Sequence, residues 1–462
     1  MRNSLRRLLG LEWLMVGAAA PLLLFPTVRP TWTAAALGVL ALWWLLRWAV
    51  RGEPWPVTPF NGALLLFALM VPVGIWVSPS WEATLPDAVR VVLGLITFRT
   101  VVAAASNPRR LILAVVMFCL MGVTLVGIGL LGTNWSAKVP LLGDLSQRIP
   151  HLITRIPEDQ GMPGVNPNHL AGALMIYLPL ALALVFGRRF SRRAIVGPLF
   201  GLIGSLLFLA LVAGTLLLTQ SRSGWIGGAA GLMALASLAG LTARRRWARW
   251  LGAVLPVLAV LAVAGAIIYL GPQTLGESLF GKEITNPVEE VVGSITLEDR
   301  VEIWSRALYA IQDFPFTGCG LGAFRRVVPV LYPLFTVPPD TDIAHAHNIF
   351  LQTALDLGIP GLVAYLALLE IALAACWRAA RALTPTPAAS GGFPLPFSHS
   401  VGEGDGQGEG VRALALGLAS GLIALHVYGL TDALALGSKP AIVFWYALGM
   451  VAALGRMEGR ND

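Results

Sequence analysis

Charge is scarce in this chain. Asp, Glu, Lys and Arg make up 13% of its 462 residues, about half the share of a soluble globular domain. Lysine occurs only as Lys138, Lys282 and Lys439. The cysteines, Cys119, Cys319 and Cys376, show neither a disulfide framework nor zinc-ligand spacing. No internal repeat is evident. The net charge of +8 forms no basic patch for nucleic acid, because the arginines sit in short segments between apolar runs, where orientation signals belong.

What fills the chain is apolar: 56% of it is hydrophobic. Twelve stretches approach the about 20 residues a transmembrane helix needs, at roughly 11–26, 31–50, 58–77, 87–105, 109–131, 167–187, 195–219, 224–243, 251–271, 357–380, 412–436 and 440–455. The expected fold is an all-α polytopic membrane protein with about 12 transmembrane helices and both termini cytoplasmic. The start, "MRNSLRRLLGLEWLMVGAAAPLLLF", has the basic-then-apolar order of a signal peptide but reads as an uncleaved first helix, since further spans follow at once. With the N-terminus inside, every short basic cluster falls on the cytoplasmic side: "RGEP", "NPRR", "GRRFSRR", "ARRRWAR", "CWRAAR" and "GRMEGRND".

The expected organisation is about five helices over 1–131, an external loop over 132–166, helices over 167–271, and a long external loop with short amphipathic helices over 272–356. A helix over 357–380, a disordered cytoplasmic linker over 381–411 and a helix pair over 412–462 complete it. The linker is Gly-, Pro- and Ser-rich and cannot bury enough apolar surface to fold.

The polar residues that remain gather on the external face. Arg222 lies in the small-residue turn "TQSRSGW", either as a snorkelling anchor or held against the bundle. Arg300 begins "RVEIWSRALYAIQDF", where Val301, Trp304, Leu308 and Ile311 recur at helical spacing. Arg300 shares a face with Trp304 and either stacks on it or pairs with Glu298 or Asp299. His345 and His347, in "DTDIAHAHN", fall on one side of an extended segment. They read as structural hydrogen-bonders, as a metal site with Asp340 or Asp342, or as a general base with a helper. In "GVNPNHLAG", Asn166 or Asn168 caps a helix that Pro167 starts. His426 and Asp432 fall in the eleventh stretch, where ionisable groups usually face a cavity or a partner. "GCGLGAF" from Gly318 lacks the dinucleotide-binding glycine spacing.

Four pieces in order, "NPNHLAGALMIYLPLAL", "TQSRSGWIGG", "RVEIWSRALYAIQDFPFTGCGLGAF" and "HAHNIFLQTALDLGIPGLVAYL", together with "HVYGLTDALALGSKPAIVFW", resemble the O-antigen ligase and polymerase superfamily of bacterial membrane proteins. The resemblance spans roughly residues 160–450. It implies a glycosyltransferase without metal or cofactor in the bacterial inner membrane, with its site on the external face. Such an enzyme passes a glycan from undecaprenyl pyrophosphate to lipid A–core, to another glycan or to a protein, with inversion at the anomeric centre. Its arginines match Arg222 and Arg300, as pyrophosphate ligands. Its loop histidine matches His347, assisted by His345, as base. Asn168, Asn348, His426, Asp432 and Arg90 are the further candidates for lining the site, and Asp313 and Gly318 for shaping the loop. The chain end at Asp462 favours ligase or polymerase over protein-glycosylating members. Two rival readings are a bicarbonate transporter, which shares the "NPNHLAG" piece, and a non-catalytic polysaccharide-assembly protein.

Overall fold

The structure is a computed structural model that describes residues 12–135, 152–153, 164–190, 198–271, 274–276, 297–337, 343–382 and 405–458. It is helical, with no strand among the described residues. The first helices are α1 (Glu12–Leu24), α2 (Pro30–Arg51), α3 (Asn61–Trp76), α4 (Trp81–Ala104) and α5 (Pro108–Gly132). Then come α6 (Pro167–Leu174), α7 (Tyr177–Phe190), α8 (Pro198–Leu218), α9 (Arg222–Leu241) and α10 (Arg246–Leu270). The remainder is α11 (Leu297–Asp313), α12 (Phe324–Leu331), α13 (Ile349–Ala382), α14 (Asp405–Tyr428) and α15 (Ile442–Glu458).

Nine spans among the described residues are long and apolar enough to cross a membrane. Each of the twelve expected stretches falls on a helix, but three miss that standard. Helices α1 and α3 have 13 and 16 residues, short of the about 20 that cross a bilayer. Helix α4 is long enough but carries Glu82, Asp87, Arg90 and Arg99. The expected 381–411 linker and most of the 132–166 loop lie outside the described residues.

Close approach of helices organises the bundle. Helix α14 lies against α9, α7 and α13, and small residues let the backbones meet. A Cβ on Gly227 of α9 would stand 2.8 Å from the Ala424 carbonyl, and one on Gly421 of α14 would stand 2.7 Å from that of Ile176. Helices α6 and α7 form one apolar span, interrupted at Met175 and Ile176 because Pro179 cannot donate to the Met175 carbonyl. At one end, Arg412 Nη2 donates to Thr242 Oγ1 (2.8 Å), and Glu12 is buried between Arg47 and Arg99. Arg51 and Arg381 stand in the last turns of α2 and α13, and Arg109 and Arg110 in the first turn of α5. The polar loops described below lie at the other end.

Helix α13 breaks at Gly358, whose φ of 69° and ψ of 177° only glycine adopts readily. The break frees backbone groups, and the segment after α11 satisfies them. Cys319 N–H donates to the Leu355 carbonyl (2.7 Å), and Ile359 N–H donates to that of Pro315 (2.7 Å). Leu321 N–H then reaches the Gly74 carbonyl (3.2 Å), and Thr84 Oγ1 donates to the Leu321 carbonyl (2.6 Å). "GCGLG" is therefore a main-chain wedge between α3, α4 and α13. Gly318 fits because a Cβ there would stand 2.4 Å from the Leu355 carbonyl. Asp313, expected to shape this region, accepts a hydrogen bond from the Tyr332 hydroxyl.

Replacing Gly358 with alanine puts a Cβ 2.4 Å from the Phe316 carbonyl, at a φ that disfavours any side chain. Gly358→Ala is expected to cost at least about 2 kcal/mol, seen as a lowered Tm of the purified protein in detergent.

Candidate active site

Helix α14 ends at Tyr428, earlier than the 412–436 stretch predicts. Asp432 therefore sits in the turn after the helix, not within a span. Tyr428, Thr431 and this turn collect three other elements. Ile349 N–H donates to the Gly429 carbonyl (2.8 Å), and Asn348 Nδ2 to that of Leu430 (3.1 Å). Thr431 Oγ1 donates to Ser223 Oγ of α9 (2.9 Å). Tyr428 Oη donates to the Asn168 carbonyl of α6 (2.9 Å).

The starts of those elements are capped, which fixes where they deliver their side chains. Asn348 Oδ1 accepts from Phe350 and Leu351 N–H (3.0 and 3.1 Å). Asn166, rather than Asn168, caps α6, accepting from Asn168 N–H (2.8 Å). Ser221 Oγ caps α9, accepting from Gly224 N–H (3.2 Å). Among the described residues, only Gln220 and His347 take positive φ without being glycine, both at 48°. One adjoins Ser221 and Arg222, and the other is a candidate base. Strain of this kind persists only where surrounding contacts hold it.

His345 and His347 have ring centroids 4.3 Å apart. The left-handed residue at His347 brings them together, where an extended run was expected. His347 N–H donates to His345 Nδ1 (3.2 Å). That lone pair being occupied, neutral His345 carries its proton on Nε2, which faces His169 Nε2 at 3.4 Å. His345 thus donates to His169. His347 Nδ1 lies 3.5 Å from Asp432 Oδ1, so the carboxylate favours the tautomer that leaves Nε2 of His347 as an acceptor. Between the two histidines, Ala346 N–H donates to Gln352 Oε1 (2.8 Å). Gln352 Nε2 donates to Asp356 Oδ1 (2.8 Å), which also accepts from Gly322 N–H (3.0 Å). The histidine segment is tied to the wedge through these two buried side chains.

Burial, foremost, and then the neighbouring His347 hold the His345 pKa well below its ordinary 6.5. Burial alone would raise Asp432. The contact with His347 and the charges of His347, His345 and Arg300 outweigh it and hold the carboxyl well below its ordinary range. Arg300 is buried on α11, and burial lowers its pKa while Asp432 opposes that shift. A guanidinium stays charged regardless. Helix α11 turns in Arg300, Ile303, Ala307 and Ala310, not the expected stripe: Val301 and Leu308 are 54% and 50% exposed. Arg222, at the first turn of α9, is exposed yet close enough for its charge to act on Arg300.

Two candidates lie apart from the His347–Asp432 contact, Arg90 within a cavity that also reaches His345. His426 is buried in the core, its Nε2 on Tyr365 Oη (2.7 Å) and its Nδ1 on the Leu422 carbonyl (2.6 Å). Arg90 donates to the Leu24 carbonyl (3.0 Å) and to Asp87 (2.7 Å). His169, Gln352 and Tyr428 join the site without having been singled out in the sequence. The one signal for them was chemical type, a polar group in an apolar pattern.

His345, His347 and Asp432 could together hold a cation, each offering a ligand atom within 4.8 Å of the others. The third ligand would be Asp432. Asp340 and Asp342, which the spacing offered, lie outside the described residues. A cation on His345 would displace one of the two hydrogen bonds that already occupy its nitrogens.

These features define an all-helical integral membrane protein with a cluster of imidazoles, a buried carboxylate and two arginines at one end of its bundle. Residues 207–366 match the family described as O-antigen ligase, consistent with the O-antigen ligase and polymerase superfamily. That domain supports a ligase- or polymerase-like function acting on glycan or lipid-linked substrates, and it contains Arg222, Arg300, His345 and His347. No curated protein matches the chain.

Gln352→Leu strands the Ala346 N–H and leaves Asp356 Oδ1 with the Gly322 N–H alone, so about 1–3 kcal/mol of stability is expected to be lost, measured as a fall in Tm. His345 gives a pH signature. Its folded pKa lies below 6.5, so the unfolded chain binds the extra proton. Its contribution is complete above pH about 6.5 and declines as pH falls below that value. His345→Gln is expected to flatten the Tm decline between about pH 6.5 and 5. The Asp432 shift acts lower, below its ordinary 3.8.

Proposed function

We propose that this protein transfers a glycan from undecaprenyl pyrophosphate to a hydroxyl acceptor at the outer face of the bacterial inner membrane, without a metal ion. The observation that carries the reading is the Asp432–His347 contact. The carboxylate faces Nδ1 at 3.5 Å, and Nε2 is left to take the proton of the acceptor hydroxyl. The freed oxygen attacks the anomeric carbon as its bond to the pyrophosphate oxygen breaks. The configuration inverts, and undecaprenyl pyrophosphate leaves with the bonding pair. Arg222 and Arg300 receive the charge that gathers on the leaving group. A buried guanidinium needs no reorganisation as that charge develops, which suits Arg300 to the role.

The outer-face assignment rests on the charge distribution. The short arginine clusters mark the opposite end of the helices as cytoplasmic. Lipid A–core, a growing polysaccharide and a protein side chain are the acceptor classes of this reading.

The test follows release of undecaprenyl pyrophosphate by purified protein, with EDTA present and each acceptor class supplied in turn. Acceptor-dependent release is expected from wild type. His347→Ala is expected to lower kcat by about 10²–10⁴-fold, the range for a general base, while eluting as the same folded species. Arg300→Gln is expected to lower turnover by about 10²-fold or more. Normal turnover by His347→Ala would remove the base assignment. Folded wild type that releases nothing with any acceptor would turn the reading towards bicarbonate transport or assembly.

A further inference from the structure

Nδ1 of His347 is buried and makes no hydrogen bond among the described residues. It faces Asp432 Oδ1 at 3.5 Å, which is long for a hydrogen bond. That separation suits two ligands of one ion. Zinc about 2.1 Å from each ligand spans a tetrahedral edge of about 3.4 Å, whereas octahedral coordination at that radius brings ligands to about 3.0 Å. His345 completes the set, offering a ligand atom within 4.8 Å of those on His347 and Asp432. The left-handed turn at His347, with φ at 48°, is what gathers the two imidazoles beside the carboxylate, their centroids 4.3 Å apart.

Two imidazoles and one carboxylate suit zinc, while magnesium and calcium prefer oxygen throughout. Three protein ligands leave a fourth position to water, as in zinc sites that stay open. The ion displaces one of the two hydrogen bonds on His345. The other remains to orient the ring, the support that metal-bound imidazoles usually have. A route inwards is provided by the cavity of about 620 Å³ between α4, α5 and α12, which reaches His345. One carboxylate does not neutralise a divalent cation, and Arg300 acts on that same carboxylate. Repulsion from the guanidinium therefore keeps the ion exchangeable, unlike zinc in a structural site.

We propose that His345, His347 and Asp432 form a zinc-binding site that switches the protein off. Coordination through Nδ1 of His347 takes up that lone pair. The proton Nδ1 carried moves to Nε2, so the imidazole stays neutral with one proton. Nε2 then donates and no longer accepts, and the acceptor hydroxyl keeps its proton. Asp432 is committed to the ion at the same time. The inhibitory effect rests on the transferase reading, whereas the site and its ligands do not.

Binding is measured first, on full-length protein stripped with EDTA and then freed of it. Zn²⁺ is titrated in competition with a chromophoric chelator, and the visible absorption of added Co²⁺ reports the coordination number. Wild type is expected to bind zinc reversibly and to give the intense Co²⁺ bands of a four-coordinate centre. His345→Gln, His347→Gln and Asp432→Asn are each expected to weaken zinc binding at least about 100-fold, beyond the about 10–100-fold that loss of a supporting neighbour costs. Asp432→Asn removes a buried charge, so the two histidine variants decide the matter if it does not fold. In the transfer assay, Zn²⁺ is expected to stop acceptor-dependent release by wild type, EDTA to restore it, and Mg²⁺ to have no effect. Wild type that binds no zinc would overturn the proposal, as would zinc binding that the folded variants retain or undiminished transfer by zinc-loaded protein. Transfer that begins only when zinc is added would overturn the inhibitory role and the metal-free mechanism together. Zinc binding that the variants lose, in a protein that transfers nothing with or without zinc, would keep the site and sink the transferase reading instead.

Discussion

One buried carboxylate sets the terms for the site. Asp432 is 2% exposed, and an ionised group so placed must be compensated or it protonates. The compensation comes from Arg300 and from His347, whose Nδ1 faces the carboxylate, and these lie on separate elements far away in sequence. Satisfying one charge therefore specifies where α11 docks, how the segment before α13 folds back, and where α14 must stop. The main-chain bond from Ile349 to Gly429 and the hydroxyl–hydroxyl bond from Thr431 to Ser223 follow the same convergence. Breaking a buried pair by removing one partner is strongly destabilising, so the arrangement is rigid as well as charged. Rigidity is what proton transfer and leaving-group stabilisation need, since both depend on groups already in position.

The helix layout was legible because burial in lipid demands long apolar runs and self-satisfied backbones. Each apolar stretch became a helix for that reason. The short α1 and α3 and the charged α4 show where the rule loosens. Glu12 and Arg99, and Arg90 and Asp87, are paired inside the bundle, and no hydropathy pattern reveals such a pairing. The break at Gly358 was legible too, from glycine and proline two residues apart in an apolar run.

The site was legible by residue type and only partly by place. Arg300, His345, His347 and Asn348 converge with Asp432, while His426 is engaged with Tyr365. Nothing local distinguishes His426 from Asp432, because the end of α14 is decided by contacts with α13 and α9. The face of α11 was misplaced for a related reason. Its apolar stripe through Val301 and Leu308 predicts burial in protein, yet the buried face holds Arg300 and small residues. A helix between a polar site and a lipid surface has two claims on its hydrophobic side. His169 and Gln352 stayed hidden because a single imidazole or amide has no periodicity to betray it.

The hydrogen bonds of the wedge from Pro315 to Gly322 run mainly between peptide groups, Cys319 to Leu355, Ile359 to Pro315 and Leu321 to Gly74, with Gly322 on the Asp356 carboxylate. A joint made of peptide groups is indifferent to most side chains, provided its glycines remain. Helix α12, which follows directly, buries Phe324, Val327 and Val328 in one cluster with Ala346, so only its other positions, Arg325 and Arg326 among them, are free to diversify without loosening the imidazole cluster. The surface beside the site can drift in evolution, or be exchanged by design, while the geometry of the imidazole cluster is inherited intact.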